Sequence, residues 1–304
     1  MNRHAYLVMV HNNFKVLEKC LLLLDAPYNE FYIHVDTKTK NFPKEYFQKL
    51  LQHSRVHIYS EINVNWAGYS QVQCEMFLLK QAWKDDYSFY HLLSGADMPL
   101  KCAEDIYTFF ESHEGRLFIE IQDGKLKRHY KQYRNRIAKY HLLQEYRKRF
   151  AGKGVQSLLT FAAKLLLGLQ ILCRVDRLKG RMLSCGSQWF SISHEFAAYL
   201  VGHEAEVTQV FRYTQCPDEH VMQMMVLASP YKEKLYRDIH GTYNNMRYIK
   251  WQDEDDAHPV VFRQTDVEEL LTSGQCFARK FDERVDYEAV EDLYESLKGM
   301  KKSE

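Results

Sequence analysis

An α/β fold is what this 304-residue chain predicts, and three observations predict it. Short apolar runs of strand character alternate with amphipathic helical stretches through the first third, the pattern of a mainly parallel sheet covered by helices. Polar residues stand where those runs end, and open α/β sheets bind ligands beyond the carboxyl ends of their strands. Hydrophobic residues make up 46% of the chain and charged residues 27%, enough for a sizeable core in one large domain or two intimate ones.

Tyr6–Val10 reads as a first buried strand, closed by the polar loop His11-Asn12-Asn13. Phe14–Leu24 follows as a helix with Val16, Leu17, Leu21 and Leu24 on one face. Phe31–Asp36 is a second strand with a polar tip, Val56–Tyr59 a third, and Ser70–Trp83 a helix. Phe89–Leu93 is a fourth strand, followed by Ser94-Gly95-Ala96-Asp97-Met98-Pro99. His11, Asp36 and Asp97 therefore share one edge, although an aspartate after a strand is equally a turn or cap residue. The loop Val64-Asn65-Trp66-Ala67-Gly68-Tyr69-Ser70 offers an aromatic ring for stacking on a base or sugar, or for core filling. Residues 116–123 form a further strand that carries Glu120.

The composition then shifts. Lys125 to Lys153 contains eleven Lys or Arg against a single acid, Glu145, with Tyr130, Tyr133, Tyr140 and Tyr146 interleaved. Val155–Cys173 is apolar but interrupted by Gln156, Thr160, Lys164 and Gln170, too polar to read as a transmembrane span. A basic helix followed by an amphipathic one suits a peripheral membrane contact through 125–175; packing of a helical insertion on its own domain fits the same pattern. The expected division is 1–124, 125–180 and 181–304, the last being the second half of the first domain.

Order resumes at Gly186-Ser187-Gln188-Trp189-Phe190, a strand entered through a Gly-Ser turn. Tyr213–His220 reads as a helix start, with Pro217 at the first helical position and Val221–Leu227 as the continuation. Asp218 and Glu219 complement the helix dipole there, or Glu219 projects into a cleft and takes a proton from a substrate; spacing leaves both open. Met246–Trp251 and the run around Phe277-Ala278-Arg279-Lys280-Phe281 complete the strand-like segments, and the tail is helical.

Composition also excludes. A net charge of +1 argues against nucleic acid as a general partner. Cys20, Cys74, Cys102, Cys173, Cys185, Cys216 and Cys276 are odd in number and contain no C-x-x-C, which fits a reduced, cytoplasmic protein better than a zinc or disulfide framework. The N-terminal apolar run is too short for an anchor and has no signal-peptide pattern. P-loop, G-x-G-x-x-G, G-x-S-x-G and H-E-x-x-H motifs are missing. Asp253-Glu254-Asp255 is formally a D-x-D, the metal-holding pattern of many nucleotide-sugar enzymes, but four clustered acids after Trp251 read as a solvated loop.

Seven motifs, in order, resemble one family. They are Ala5-Tyr6 through His11, His34-Val35-Asp36-Thr37-Lys38, Trp66-Ala67-Gly68-Tyr69-Ser70, Ser94-Gly95-Ala96-Asp97-Met98-Pro99, Gly186-Ser187-Gln188-Trp189-Phe190, Pro217-Asp218-Glu219 and Phe277-Ala278-Arg279-Lys280-Phe281. Together they resemble glycosyltransferase family 14, the core-2 and I-branching β-1,6-N-acetylglucosaminyltransferases with the related peptide O-xylosyltransferases. The resemblance runs from Ala5 to Asp282, with 125–180 poorly matched. It implies a GT-A-like, Rossmann-like fold and an inverting, metal-independent transfer from a UDP-sugar, with no cofactor. It implies Glu219 as catalytic base and Arg279 and Lys280 as the cations that neutralise the departing diphosphate. His11, Asp36 and Trp66 are implied in the nucleotide pocket and Asp97 at the donor sugar; Glu120 and Trp251 are candidates on the acceptor side. The chain departs from the animal enzymes in their N-terminal anchor, their disulfides and an upstream arginine, near which His258-Pro259 and Arg263 stand here. GlcNAc is the expected sugar, UDP-xylose the alternative donor, and a non-catalytic sugar-binding protein the alternative of another class. The expected partners are a UDP-sugar and an oligosaccharide or lipid-linked acceptor, in surface polysaccharide synthesis at the inner membrane face.

Overall fold

The structure is a computed structural model, and it describes residues 2–146, 153–253, 256 and 258–300. Its strands in chain order are β1 (His4–Val10), β2 (Asn29–Val35), β3 (Arg55–Tyr59), β4 (Phe89–Ser94), β5 (Asp97–Pro99), β6 (Phe118–Ile119), β7 (Phe190–Ser193), β8 (Arg247–Ile249) and β9 (Phe277–Arg279). Six of them form one sheet in the order β3-β2-β1-β4-β7-β6. The pairs β1–β2, β1–β4 and β2–β3 are parallel, while β7 runs antiparallel to both β4 and β6. The sheet is therefore mixed: the alternating first third supplies its parallel part, and the later chain adds an antiparallel edge. Strand β7, from the second half, pairs with β4 and β6, from the first, so one sheet joins them.

Side chains alternate across this sheet as a period of two requires. Ala5 and Leu7 join one core with Val72, Leu79, Leu92 and Ile192. Tyr6, Val8 and Val10 join the other with Leu17, Leu21, Phe89 and Phe110. Both faces are covered, which accounts for the continuous apolar character of β1 and β2. Helix Phe14–Leu23 packs between β5 and the C-terminal helix Glu288–Met300.

A second sheet, β5-β9-β8, stands beside the first. Arg247 fastens the two. It is buried, and its guanidinium donates to Ser191 Oγ at 2.8 Å, to Phe190 O at 2.6 Å and to Leu92 O at 3.3 Å. Burial pulls its proton affinity down to about 10, the expected direction for a cation ringed by neutral acceptors.

The basic segment is not one helix. It folds as Asp123–Arg128 and Tyr130–Ala138, and the apolar helix Lys153–Leu172 follows further on. Residues Gly154–Leu172 are long and apolar enough to cross a membrane by length and composition, and none of that window is buried; the interrupting polar residues do not lower its apolar character as far as the sequence reading supposes. Gln156 and Thr160 are half-buried while Lys164 is exposed, because a spacing of four drifts around a helix of 3.6 residues per turn.

Replacing Arg247 by Leu leaves several buried acceptors without their donor, and should lower unfolding stability by about 2–4 kcal/mol in denaturant titrations.

Candidate active site

The carboxyl ends of β1, β2 and β4 build one side of the site. His11 follows β1 and Asp36 follows β2. Asp36 is buried, its amide donates to Val10 O at 2.9 Å, and its carboxylate accepts from Lys38 N at 2.9 Å and faces Lys38 Nζ at 3.3 Å. His11 is held below its ordinary proton affinity by partial burial; Asp36 opposes this, and Lys280, Lys38 and Arg279 add to it. The imidazole thus feels Asp36, Lys280 and Arg279 together, so these expected residues do converge.

Asp97 and Arg279 behave differently from the expectation. Asp97 is 3% exposed and accepts from Arg279 Nη1 at 2.7 Å, from Ser94 Oγ at 3.0 Å and from Ser94 N at 2.7 Å. The Arg279 guanidinium lies over the Trp189 ring, 4.0 Å from its centre. Burial pushes the Asp97 carboxyl up and the Arg279 guanidinium down despite their pairing, so desolvation outweighs the attraction. The Asp97 carboxylate is engaged by Arg279 and Ser94, and Arg279 is largely committed to this pair. Lys280 is the more available cation. Among the described residues it makes no ion pair within 4.0 Å, and burial together with Arg279 lowers its proton affinity.

The other side is built around 213–220. No single helix starts there. Cys216 takes a left-handed backbone with φ 48°, Pro217–Glu219 make one 3₁₀ turn, and the helix Val221–Leu227 begins only after His220. Neighbouring loops hold this turn. Cys216 N donates to Ala67 O at 2.9 Å, Gln215 N to Arg136 O at 3.0 Å and Gly186 N to Glu219 O at 3.0 Å. His220 Nδ1 meets Ser184 O at 2.7 Å. Ala67 is left-handed as well, with φ 61°, and two such non-glycine residues joined by a hydrogen bond store about 1–3 kcal/mol each, the kind of strain that gathers at functional sites. Gly186 is needed where it stands, because a Cβ there would lie 2.0 Å from Glu120 O.

The two carboxylates of the turn part company. Asp218 is buried, accepts from Gln71 Nε2 at 3.2 Å, and is pushed up to about 7 by burial and then by Glu219. Glu219 keeps 41% of its side chain exposed and receives Arg136 Nη1 at 2.7 Å. Arg136, on helix Tyr130–Ala138, is a residue the sequence reading missed. It is one of eleven basic residues in its segment, and no local pattern sets it apart.

Glu120 and Trp251 stand on this same side. Glu120 accepts from Ser187 N at 3.1 Å, and burial raises its proton affinity. Gln223 Nε2 donates to Glu120 O at 3.1 Å and to Ser187 O at 2.8 Å, tying the strand end to the helix after Glu219. Trp251 is 40% exposed with Lys125 Nζ 5.5 Å from its ring centre. Trp66, 47% exposed, lies 5.7 Å from His258, ring centre to ring centre. Trp189 links the halves, since it stacks on Arg279 and follows the Ser187 that binds Glu120. Of the D-x-D, Glu254 and Asp255 lie outside the described residues.

Cationic and carboxylate groups gathered at the strand ends of a mixed α/β sheet stand where such sheets bind their ligands. Comparison with known proteins makes this specific. Residues 4–273 match the family described as "Branch: Core-2/I-Branching enzyme", and the chain belongs to it; it is a glycosyltransferase. It is 25% identical to a beta-1,3-galactosyl-O-glycosyl-glycoprotein beta-1,6-N-acetylglucosaminyltransferase 4 of Danio rerio over 96% of this chain and 69% of the relative. It is 24% identical to xylosyltransferase 2 of Rattus norvegicus over 98% of this chain and 34% of that protein. A structural match to mouse xyloside xylosyltransferase 1 covers 91% of this chain and 97% of the other, with a TM-score of 0.38 and 7% identity.

The Asp218 carboxyl yields a pH prediction. Its folded value of about 7 lies above the ordinary 3.8, so between roughly pH 4 and pH 7 the unfolded chain releases a proton that the folded chain retains, and stability falls as pH rises. Asp218→Asn removes this term. Its melting temperature relative to the unsubstituted protein should climb steadily from pH 4 to pH 7 and level off above.

Proposed function

We propose that this protein is an inverting, metal-independent transferase that moves GlcNAc from UDP-GlcNAc to a hydroxyl of a glycan acceptor. Glu219 carries the reading. It is a half-exposed carboxylate on a turn held by backbone bonds to Ala67 and Gly186, and it accepts from Arg136 Nη1 at 2.7 Å. In this mechanism Glu219 takes the proton of the acceptor hydroxyl as that oxygen forms a bond to the anomeric carbon. The bond from that carbon to the diphosphate breaks on the opposite face, and its electron pair leaves with UDP. Lys280, whose charge is only partly compensated in the free protein, regains favourable pairing as the diphosphate departs. Arg279 acts through its position, holding Lys280 and Trp189 in place. His11, Asp36 and Trp66 would receive the nucleotide, and Glu120 and Trp251 the acceptor.

Metal independence is the reading the family resemblance implies, with Lys280 as the cation that would meet the diphosphate. The membrane face is supported by the exposed apolar helix Lys153–Leu172 beside a basic segment, which suits an acceptor presented at a bilayer in polysaccharide synthesis. The relatives named as xylosyltransferases favour UDP-xylose as the second donor to examine.

Glu219→Gln should lower kcat by about 10²–10⁴-fold while UDP affinity changes little; full turnover in the variant would remove Glu219 from the chemistry. UDP release should be greatest with UDP-GlcNAc in a screen that includes UDP-xylose, UDP-GalNAc and UDP-glucose, and should persist in EDTA. A preference for UDP-xylose would reassign the donor, and loss of activity restored by Mn²⁺ would overturn metal independence.

A further inference from the structure

A cleft of about 520 Å³ opens between helix Tyr130–Ala138 and the long apolar helix. Arg128, His129, Lys131, Arg136 and His141 line it, Leu167 closes one wall, and none of the described residues lining it is acidic. Such a surface attracts an anion. Arg136 belongs to two places at once: it lines the cleft and reaches Glu219 at 2.7 Å. A guanidinium has donors enough for both a carboxylate and a second oxyanion.

The helix beside the cleft carries its large apolar side chains outward as well as inward. Its half-buried side includes Gln170, which accepts from Tyr140 N at 2.7 Å and donates to Tyr140 O at 2.9 Å. Leu158, Phe161, Leu165 and Leu172 point outward at 58–80% exposure. A helix facing water shows the opposite arrangement. Twenty residues give it a length of about 30 Å, ample for lying along a bilayer surface. Cationic and apolar surfaces meet at Leu167, which shares the helix with the outward leucines.

We infer that this cleft binds the phosphate of an acceptor sugar joined through phosphate or diphosphate to a long hydrocarbon chain, with the chain lying along the outward face of helix Lys153–Leu172. The inference rests on the transferase reading above and narrows its acceptor. Because Arg136 bridges the cleft and Glu219, the reacting hydroxyl belongs to a sugar close to the phosphate, not to the far end of a long glycan.

Titration of the full chain by calorimetry tests this, with UDP saturating so that the donor site is filled. The probes are farnesyl diphosphate, inorganic pyrophosphate, farnesol, and vesicles of phosphatidylglycerol or phosphatidylcholine. Farnesyl diphosphate should bind at least tenfold more tightly than either pyrophosphate or farnesol. The double variant Arg128→Gln, Lys131→Gln changes two exposed side chains; with an unaltered melting temperature as the check on folding, it should lose at least tenfold in that affinity. In turnover assays the unsubstituted protein should favour a diphosphate-linked glycoside over the same phosphate-free glycoside, and the double variant should lose that preference. Equal affinity for farnesol and farnesyl diphosphate would overturn the inference. So would a double variant that loses phosphatidylglycerol vesicles but keeps farnesyl diphosphate, which would make the cleft a headgroup site. Failure of UDP to bind would sink the transferase reading instead, and leaves farnesyl diphosphate binding to be scored by itself.

Discussion

The ion pair between Asp97 and Arg279 is the contact around which the rest is arranged. Two charges cannot be taken out of water unpaired, and removing one partner of such a pair costs about 3–5 kcal/mol. The pair therefore dictates where β5 and β9 lie, since Asp97 and Arg279 are opposite one another in that ladder. It also sets the start of the segment that follows, so that Lys280 emerges next to His11 while Arg279 stays beneath Trp189. The cationic end of the site is one half-exposed lysine on a buried, neutralised support. That is a different electrostatic object from two free cations, because of these two only Lys280 is without an ion pair among the described residues.

The opposite end depends on backbone bonds more than on charge. The segment Gln215–Glu219 has few regular hydrogen bonds of its own, so its groups are satisfied by two loops and the helix Tyr130–Ala138, as buried backbone requires. Ala67, Gly186 and Arg136 each contribute one tie. The two adjacent carboxylates thus reach opposite environments from consecutive positions. Asp218 faces inward against Gln71 and Glu219 faces the cleft against Arg136. The loops of Ala67 and Gly186 also carry Trp66 and Trp189, and Ser187 N binds the Glu120 carboxylate, so the aromatic and acidic groups of the site are tied to the turn.

Much of this was legible in the residues. The alternation of β1, β2 and β4 with helices is a matter of local period and apolar content, and it located His11 and Asp36 at one edge. Gly186-Ser187 was legible as a turn; the close approach of the Glu120 carbonyl to Gly186 is added by the structure. The antiparallel edge formed by β6 and β7 was less legible: β6 has only two residues, and its pairing depends on a segment some seventy positions away. The helix start read at Pro217 came out as a separate turn because three long-range hydrogen bonds outweigh the local preference for continuing the helix.

By itself the sequence determined the α/β character, the strand-end residues and the motif order that points to the family, because these rest on local periodicity and on residue identity. The tertiary structure decided which of those residues keep free charge. Asp97 and Arg279 cancel one another, Asp218 is buried, and Arg136, anonymous in a basic run, becomes the partner of Glu219. Charge state and exposure depend on which distant groups are brought within a few ångströms, and no local pattern encodes that. The outward turn of the apolar helix belongs to the same class of fact, since a helical period says where a stripe runs but not which way it faces.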